Sequence, residues 1–204
     1  MRRPALASLA LSLLLGTSFT PALAAETGRA VAVFAGGCFW SMQHAFDDVP
    51  GVIETTAGYS GGTVANPSYE QVSTGNTGHL ESVKVVYDPA KVSYGGLLDV
   101  YWHSIDPMAV NAQFCDHGTE YQSAIFTGSP EEAKTAQASK AEVAKELGQK
   151  VATEIRPAQA FYPAEPYHQH FATKNPLRYQ AYRIGCGRDA RTAQIWGDKA
   201  PAHR

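Results

Sequence analysis

Hydrophobic and polar positions along this chain switch between two periods, and the switches mark its elements. Val31-Ala32-Val33-Phe34-Ala35 is apolar at every position, the pattern of an interior strand covered on both faces. Gly36-Gly37 interrupts it, and from Cys38 onward Phe39, Met42 and Phe46 recur at helical spacing until Pro50-Gly51 ends the pattern. Cys38 is thus expected at a strand-to-helix turn. From Ala57 to Gly78 the chain is rich in Gly, Ser, Thr, Asn and Tyr without a period, which predicts a long ordered loop of the kind that carries function. Alternation returns at Glu81-Ser82-Val83-Lys84-Val85-Val86-Tyr87, a strand in which Glu81 shares a face with Val83, Val85 and Tyr87.

Beyond Asp88-Pro89, Leu97, Leu98, Tyr101 and Ile105 line one side of a helix expected over Tyr94 to Ser104. A strand is expected over Tyr121 to Phe126. Ser129-Pro130-Glu131-Glu132 is a strong helix start: serine caps, proline fits the first turn, and acids suit the positive end of the dipole. That helix runs to Gly148, and Val151 to Ile155 is a further strand candidate. The remainder, with Phe161-Tyr162, Tyr167-His168-Gln169-His170 and Pro176-Leu177-Arg178-Tyr179, reads as an irregular aromatic and histidine-rich tail. The class expected is α+β, a two-layer sandwich of a mixed β-sheet with packed helices, long loops and that irregular C-terminal tail. Length permits one domain, assigned to 25–204.

The first two dozen residues stand apart. Arg2 and Arg3 precede an apolar run from Ala5 to Leu15 and a small-residue stretch, Pro21-Ala22-Leu23-Ala24, the layout of a cleavable secretory signal over 1–24. The run falls short of the roughly 20 residues that span a bilayer, so the expectation is an exported, periplasmic protein, not inserted in a membrane, acting as a monomer. The formal charge is −2, and loss of Arg2 and Arg3 lowers it by two, to about −4. No basic patch points to nucleic acid. The cysteines are three, Cys38, Cys115 and Cys186. An odd number in an exported chain leaves at least one thiol free or reactive.

A cysteine behind two glycines at a helix start faces unpaired N–H groups and the positive dipole end, both of which favour thiolate, and the glycines allow a ligand close to the sulfur. Phe39 lies on the helix face of Met42 and Phe46; Trp40 does not, and is either a cover for the helix start or a wall of an apolar pocket. Glu81 is the sharper anomaly. A carboxylate on an apolar strand face is costly unless paired, for instance with Lys84 or Arg183, or protonated, and a protonated one is a general acid. No Cys-x-x-Cys pair occurs, and His168 with His170 is a weak metal set, so no metal is expected. A cysteine hydrolase using Cys38 with His79 or His168, and a binding module with an aromatic pocket at Trp40, are the competing readings.

Gly36-Gly37-Cys38-Phe39-Trp40, Gly58-Tyr59-Ser60-Gly61-Gly62, Gly75-Asn76-Thr77-Gly78-His79-Leu80-Glu81 and Val85-Val86-Tyr87-Asp88-Pro89 together resemble the class A peptide methionine sulfoxide reductases. Ala160-Phe161-Tyr162-Pro163-Ala164-Glu165, His168-Gln169, Lys174-Asn175-Pro176 and Cys186-Gly187-Arg188-Asp189 extend the match over nearly the whole chain after the signal. The resemblance implies reduction of methionine-S-sulfoxide, protein-bound or free. Cys38 attacks sulfur, Phe39 and Trp40 hold the methyl group, and Glu81 supplies the proton. Tyr69 and Tyr121 bond the sulfoxide oxygen, and Asp116 orients the substrate. Turnover then leaves a sulfenic acid on Cys38 that a second thiol condenses to a disulfide. Cys186 is the favoured thiol and Cys115 the alternative, with an external dithiol such as a thioredoxin-like protein as reductant and no bound cofactor. The chain departs from the family in Cys115-Asp116-His117-Gly118-Thr119-Glu120-Tyr121-Gln122-Ser123, where many members have Asn-Asp-x-Gly-x-Gln-Tyr-Arg-Ser. It also has Ser41 and Gln43 where Gly and Glu are frequent, and a single tail cysteine.

Overall fold

A computed structural model describes residues 28–200; the expected signal segment 1–24 lies outside them. The apolar run forms β1 (Ala30–Ala35) and the helical spacing that follows forms α1 (Phe39–Asp47). A reverse turn leads to β2 (Val52–Ser60), a short helix α2 (Tyr69–Val72) and β3 (Leu80–Tyr87). Helix α3 (Tyr94–His103) precedes a small hairpin of β4 (Ala112–Gln113) and β5 (Asp116–His117). Strand β6 (Ala124–Thr127), the long helix α4 (Pro130–Leu147), β7 (Glu154–Pro157) and β8 (Phe161–Pro163) follow. The chain ends in α5 (Phe171–Lys174), α6 (Pro176–Gly185) and α7 (Arg188–Trp196).

Six strands form one sheet in the order β7-β6-β1-β3-β2-β8. All neighbours run antiparallel except β6 and β7, so the sheet is mixed, as expected of the α+β class. β1 is interior, but helices cover one face only. Ala32 and Phe34 face the main core, where Phe34 stacks on Phe46 at 5.1 Å and on Tyr101 at 5.2 Å. On the other face Ala35 is buried with Leu80, Ala124 and Phe126, whereas Val31 is 50 % exposed. The expectation of cover on both sides therefore holds only at the Ala35 end. Helix α4 keeps to the sequence signals: the Ser129 side chain accepts the Glu132 N–H, Pro130 is in the first turn, and Gly148 ends it in a left-handed conformation.

Three expectations change. The loop expected from Ala57 begins as strand, because Ala57 to Ser60 pair with β3 on one side and Gly58 to Ser60 with β8 on the other. Its polar side chains are buried with partners supplied from afar: Ser60 Oγ donates to the Ala160 carbonyl at 3.2 Å. Tyr121 does not start a strand; Thr119–Tyr121 is a 3₁₀ turn, with β6 beginning at Ala124. The tail is helical rather than irregular. Pro176 opens α6, whose buried Tyr179 meets His44 of α1 edge-on at 5.2 Å. Trp196 of α7 donates its indole N–H to the Ile105 carbonyl at 3.3 Å. These helices are short and mostly polar, and their stability comes from packing on α1 and α3. Among the described residues no helix is long and apolar enough to cross a membrane.

Candidate active site

Cys38 occupies the N-cap of α1, at the end of the β1 turn, as expected. It is a free thiol and buried, 6 % exposed. The surroundings reverse the expectation of a stabilised thiolate: burial, with the nearby Glu81 carboxyl adding to it, pushes the thiol up to about 12. The helix donors go elsewhere. Phe39 N–H is given to Glu81, and Ser41 and Met42 N–H to the Cys38 carbonyl. Nor do the glycines leave room for a ligand. Gly37 has φ +79°, and a Cβ there would lie 2.3 Å from the Cβ of buried Gln113, so Gly37 lets the β4–β5 hairpin pack against the turn that carries Cys38.

Glu81 lies on the buried face of β3 with Val83, Val85 and Tyr87, opposite Tyr59 of β2. Its Oε2 accepts the Phe39 N–H at 2.9 Å. The basic residues suggested as partners are engaged elsewhere: Lys84 lies over the Phe161 ring at 5.5 Å, and Arg183 bonds Asp189 at 2.6 Å. Burial accordingly raises Glu81 to about 8 against the opposing effect of the Phe39 hydrogen bond, so near pH 7 the carboxyl is mostly protonated. Tyr69 begins α2 and its N–H is held by Glu165 at 2.9 Å. Tyr69 and Tyr121 influence each other electrostatically, and each feels the charge of Glu81 and of Cys38. Burial raises both phenols above their ordinary value, so they stay O–H donors.

Phe39 is fully buried in the core with Met42 and Phe46. Trp40, which the helix face left unexplained, lies flat on Phe171 at 3.7 Å and 8° and meets Tyr182 edge-on. Its indole N–H donates to His168 Nδ1 at 3.0 Å. Burial lowers the His168 pKa, which keeps Nδ1 available as an acceptor. His168→Phe keeps the ring and deletes this bond, about 1 kcal/mol of orientation. Steady-state kinetics on a methionine sulfoxide peptide is expected to show KM raised ~5-fold with kcat nearly unchanged; an unaltered KM would mean that Trp40 is held without His168.

Asp116 lies in the hairpin, where Tyr182 Oη donates to its Oδ2. Cys115 and Cys186 are joined by a disulfide with Cα atoms 4.8 Å apart. The two thiols offered as alternatives are therefore partners of each other, and Cys38 is the third. Cys115 is exposed and Cys186 half-buried. Their sulfurs and an Asp116 oxygen lie within 4.8 Å of one another, a spacing that would suit a metal, but both sulfurs are spent in the bond. Neither hydrolase candidate hydrogen-bonds Cys38 among the described residues. Both ring nitrogens of His79 are occupied by Gly62 N–H and the Val64 carbonyl, whereas His168 Nδ1 accepts from Trp40, which leaves the ring proton on Nε2, a buried nitrogen with no partner.

The structure thus gathers Cys38, Trp40, Glu81, Tyr69, Tyr121 and Asp116, with Phe39 behind them. The sequence reading missed Tyr182, Phe171 and the role of His168. Tyr179, Tyr182 and Cys186 recur at helical spacing, a signal obscured by treating the tail as irregular.

A free thiol at the start of α1 and a disulfide joining the β4–β5 hairpin to the end of α6 are the set that a thiol-based redox protein uses, here on an α+β sheet. A family model, "Peptide methionine sulfoxide reductase", matches residues 30–200, and the chain belongs to that family. It is 50 % identical over 178 residues to "Peptide methionine sulfoxide reductase MsrA 2" of Caulobacter vibrioides, covering 87 % of this chain and 90 % of the relative. Methionine sulfoxide reductase A of Corynebacterium diphtheriae superposes with a TM-score of 0.70 at 35 % identity, covering 74 % of this chain and 76 % of that one. Mxr1 of Saccharomyces cerevisiae in reduced form gives 0.69 at 32 %, covering 73 % and 87 %. Mxr1 has also been solved in complex with Trx2.

Proposed function

We propose that this chain reduces methionine-S-sulfoxide, in proteins or free, to methionine, with Cys38 as nucleophile and Glu81 as acid. The observation that carries the reading is a free thiol at the start of α1 beside a carboxyl that burial keeps protonated near neutral pH. Oxygen leaves sulfur only when its negative charge is neutralised, and an O–H donor already in place does this without reorganisation. Glu81 gives the proton, Tyr69 and Tyr121 donate to the same oxygen, and Phe39 and Trp40 supply the apolar wall for the methyl group. Asp116 orients the substrate.

Thiol and sulfoxide become sulfenic acid and thioether. Cys186 condenses with the sulfenic acid to a Cys38–Cys186 disulfide, releasing water. Cys115 then attacks Cys186, which frees Cys38 and leaves the bond seen here. That bond reaches the surface at Cys115 whereas Cys38 is buried, so a protein reductant meets the disulfide and not the nucleophile. The complex of Mxr1 with Trx2 supports a thioredoxin-like partner. The N-terminal segment supports export, with the reductant and the oxidised substrates on the periplasmic side; the enzyme acts there as a monomer. No cofactor enters the scheme.

Supplying the two epimers of a methionine sulfoxide peptide with dithiothreitol, and following methionine by mass, tests the reading. The S epimer alone is expected to be consumed, because methyl, oxygen and lone pair each have a fixed place. No turnover, or equal use of both epimers, overturns it.

A further inference from the structure

Two carboxyls near the reacting groups are held in opposite states. Burial keeps Glu81 protonated, whereas Glu165, just after β8, accepts two hydrogen bonds through separate oxygens. Its Oε1 takes the Tyr69 N–H at 2.9 Å and its Oε2 the Tyr59 hydroxyl at 2.8 Å. Burial works against a charge here too, but the hydrogen bonds from its own N–H, from Tyr69 and from Tyr59 prevail and hold Glu165 below the ordinary carboxylate value. An ionised carboxylate is an acceptor only, which suits two donors at once. Tyr69 needs an anchor of this kind. It opens α2, four residues long and too short to hold itself by helix propensity. The capping box between Ser68 and Gln71 satisfies the N–H groups of those two residues and leaves the Tyr69 N–H to Glu165. The other arm is as firmly placed. Tyr59 is fully buried, lies directly across from Glu81 in the β2–β3 register, and has its ring 5.9 Å from that of Phe39.

Resting on the sulfoxide reductase reading, we propose that Glu165 is a positioning residue for the sulfoxide oxygen, bridging Tyr69, which donates to that oxygen, to Tyr59 on the strand pair that carries Glu81. The two groups that must meet one oxygen arise from different elements, a one-turn helix and a strand, and the carboxylate ties the first to the second. The backbone of Glu165 adds another tie. Its carbonyl accepts the His168 N–H at 2.9 Å, and that turn brings the His168 ring 4.5 Å from Tyr69 and 4.9 Å from Phe39 and sets Nδ1 to accept the Trp40 indole N–H. Donor, acid and methyl wall thus share one frame. Glu165 acts through Tyr69 and passes no proton itself: its partners are a backbone amide and a phenol that burial holds well above its ordinary value. Holding matters because small misplacements of reacting groups cost up to about 10²-fold in rate.

The experiment compares wild type with Glu165→Ala, Glu165→Gln, Tyr59→Phe, Tyr69→Phe, and Tyr69→Phe combined with each of Glu165→Ala and Tyr59→Phe, all fully reduced. It reads the first-turnover rate by rapid quench and KM for the S-sulfoxide peptide, with near-UV circular dichroism to show that each is folded. Glu165→Ala is expected to lose ~30-fold in first turnover with KM within ~2-fold, because the tyrosine counts most as charge grows on oxygen. Combined with Tyr69→Phe it takes away less than ~3-fold more, since the hydroxyl it positions is already gone. Glu165→Gln recovers most of the loss: its amide oxygen takes the Tyr69 N–H, and its amide N–H turns to a Tyr59 hydroxyl rotated to accept. Tyr59→Phe cuts only the far arm and decides the matter should Glu165→Ala not fold; it loses ~5-fold and likewise does not multiply with Tyr69→Phe. Undiminished first turnover in Tyr59→Phe and in every folded Glu165→Ala sample, losses that multiply with Tyr69→Phe, or a glutamine variant as slow as the alanine one overturns the bridge. Should wild type reduce no sulfoxide, the function is wrong. Fluorine NMR of 3-fluorotyrosine at position 69 then still decides the bridge: a resonance that shifts and broadens in Glu165→Ala and returns in Glu165→Gln supports it, and an unchanged one overturns it.

Discussion

Glu81→Gln is expected to lose about 10³-fold in first-turnover rate while becoming more stable than the natural chain above neutral pH. The loss follows from the chemistry. Glutamine keeps an acceptor for the Phe39 N–H but has no acidic proton for the sulfoxide oxygen, and positioned general acids contribute 10²–10⁴-fold. The gain follows from linkage. In the folded chain Glu81 binds its proton up to about 8, against 4.5 for the ordinary group. The folded state therefore holds more protons than the unfolded state between those values, and stability is full below about 4.5 and lost as pH rises through about 8. At ~1.4 kcal/mol per pH unit the natural chain gives up roughly 3 kcal/mol by pH 7, and the glutamine variant gives up none on this account. Urea unfolding at pH 5 and pH 8.5 checks it. A variant whose stability falls as steeply as the natural chain between those values would show that Glu81 is not the titrating group. Activity of the natural chain is expected to decline above pH 8 for the same reason, because the acid form is the working one.

Cys115→Ser is expected to stop multiple turnover with a thioredoxin-like reductant, by at least ~10²-fold, while leaving the first methionine produced at the natural rate. Without Cys115 the chain halts as the Cys38–Cys186 disulfide, in which one sulfur is buried and the surface-reaching thiol is gone. Cys186→Ser halts one step earlier, as a sulfenic acid on Cys38 that dimedone labels. Mass spectrometry after one equivalent of substrate distinguishes the two. If Cys115→Ser is recycled by the protein reductant at the natural rate, the relay is wrong and Cys115 is a bystander.

Much of the site could be read from local pattern. The break at Gly36-Gly37 put Cys38 at the start of a helix because backbone geometry there is a local matter. Strand alternation put Glu81 on the face of Val83 and Val85, and that face is buried. The motif blocks supplied Tyr69, Tyr121 and Asp116, which are distant along the chain and whose meeting no periodicity announces. The charge state of Cys38 was not legible. Helix position argued for a thiolate, yet the nearest N–H serves Glu81 and burial prevails.

By itself the sequence determined the class of sheet and helices, the turn that presents Cys38, the misplaced carboxyl and the presence of three thiols. Those follow from backbone preferences and from spacing over a few residues. Only the tertiary structure decided that Cys115 pairs with Cys186, that the tail is helical, and that Tyr182 bonds Asp116 and meets Trp40. The reason is separation: Cys115 and Cys186 are 71 residues apart, and α6 owes its place to Tyr179 and Tyr182 packing near α1. Contacts of that range are set by the packing of elements whose own sequences carry no record of their partners.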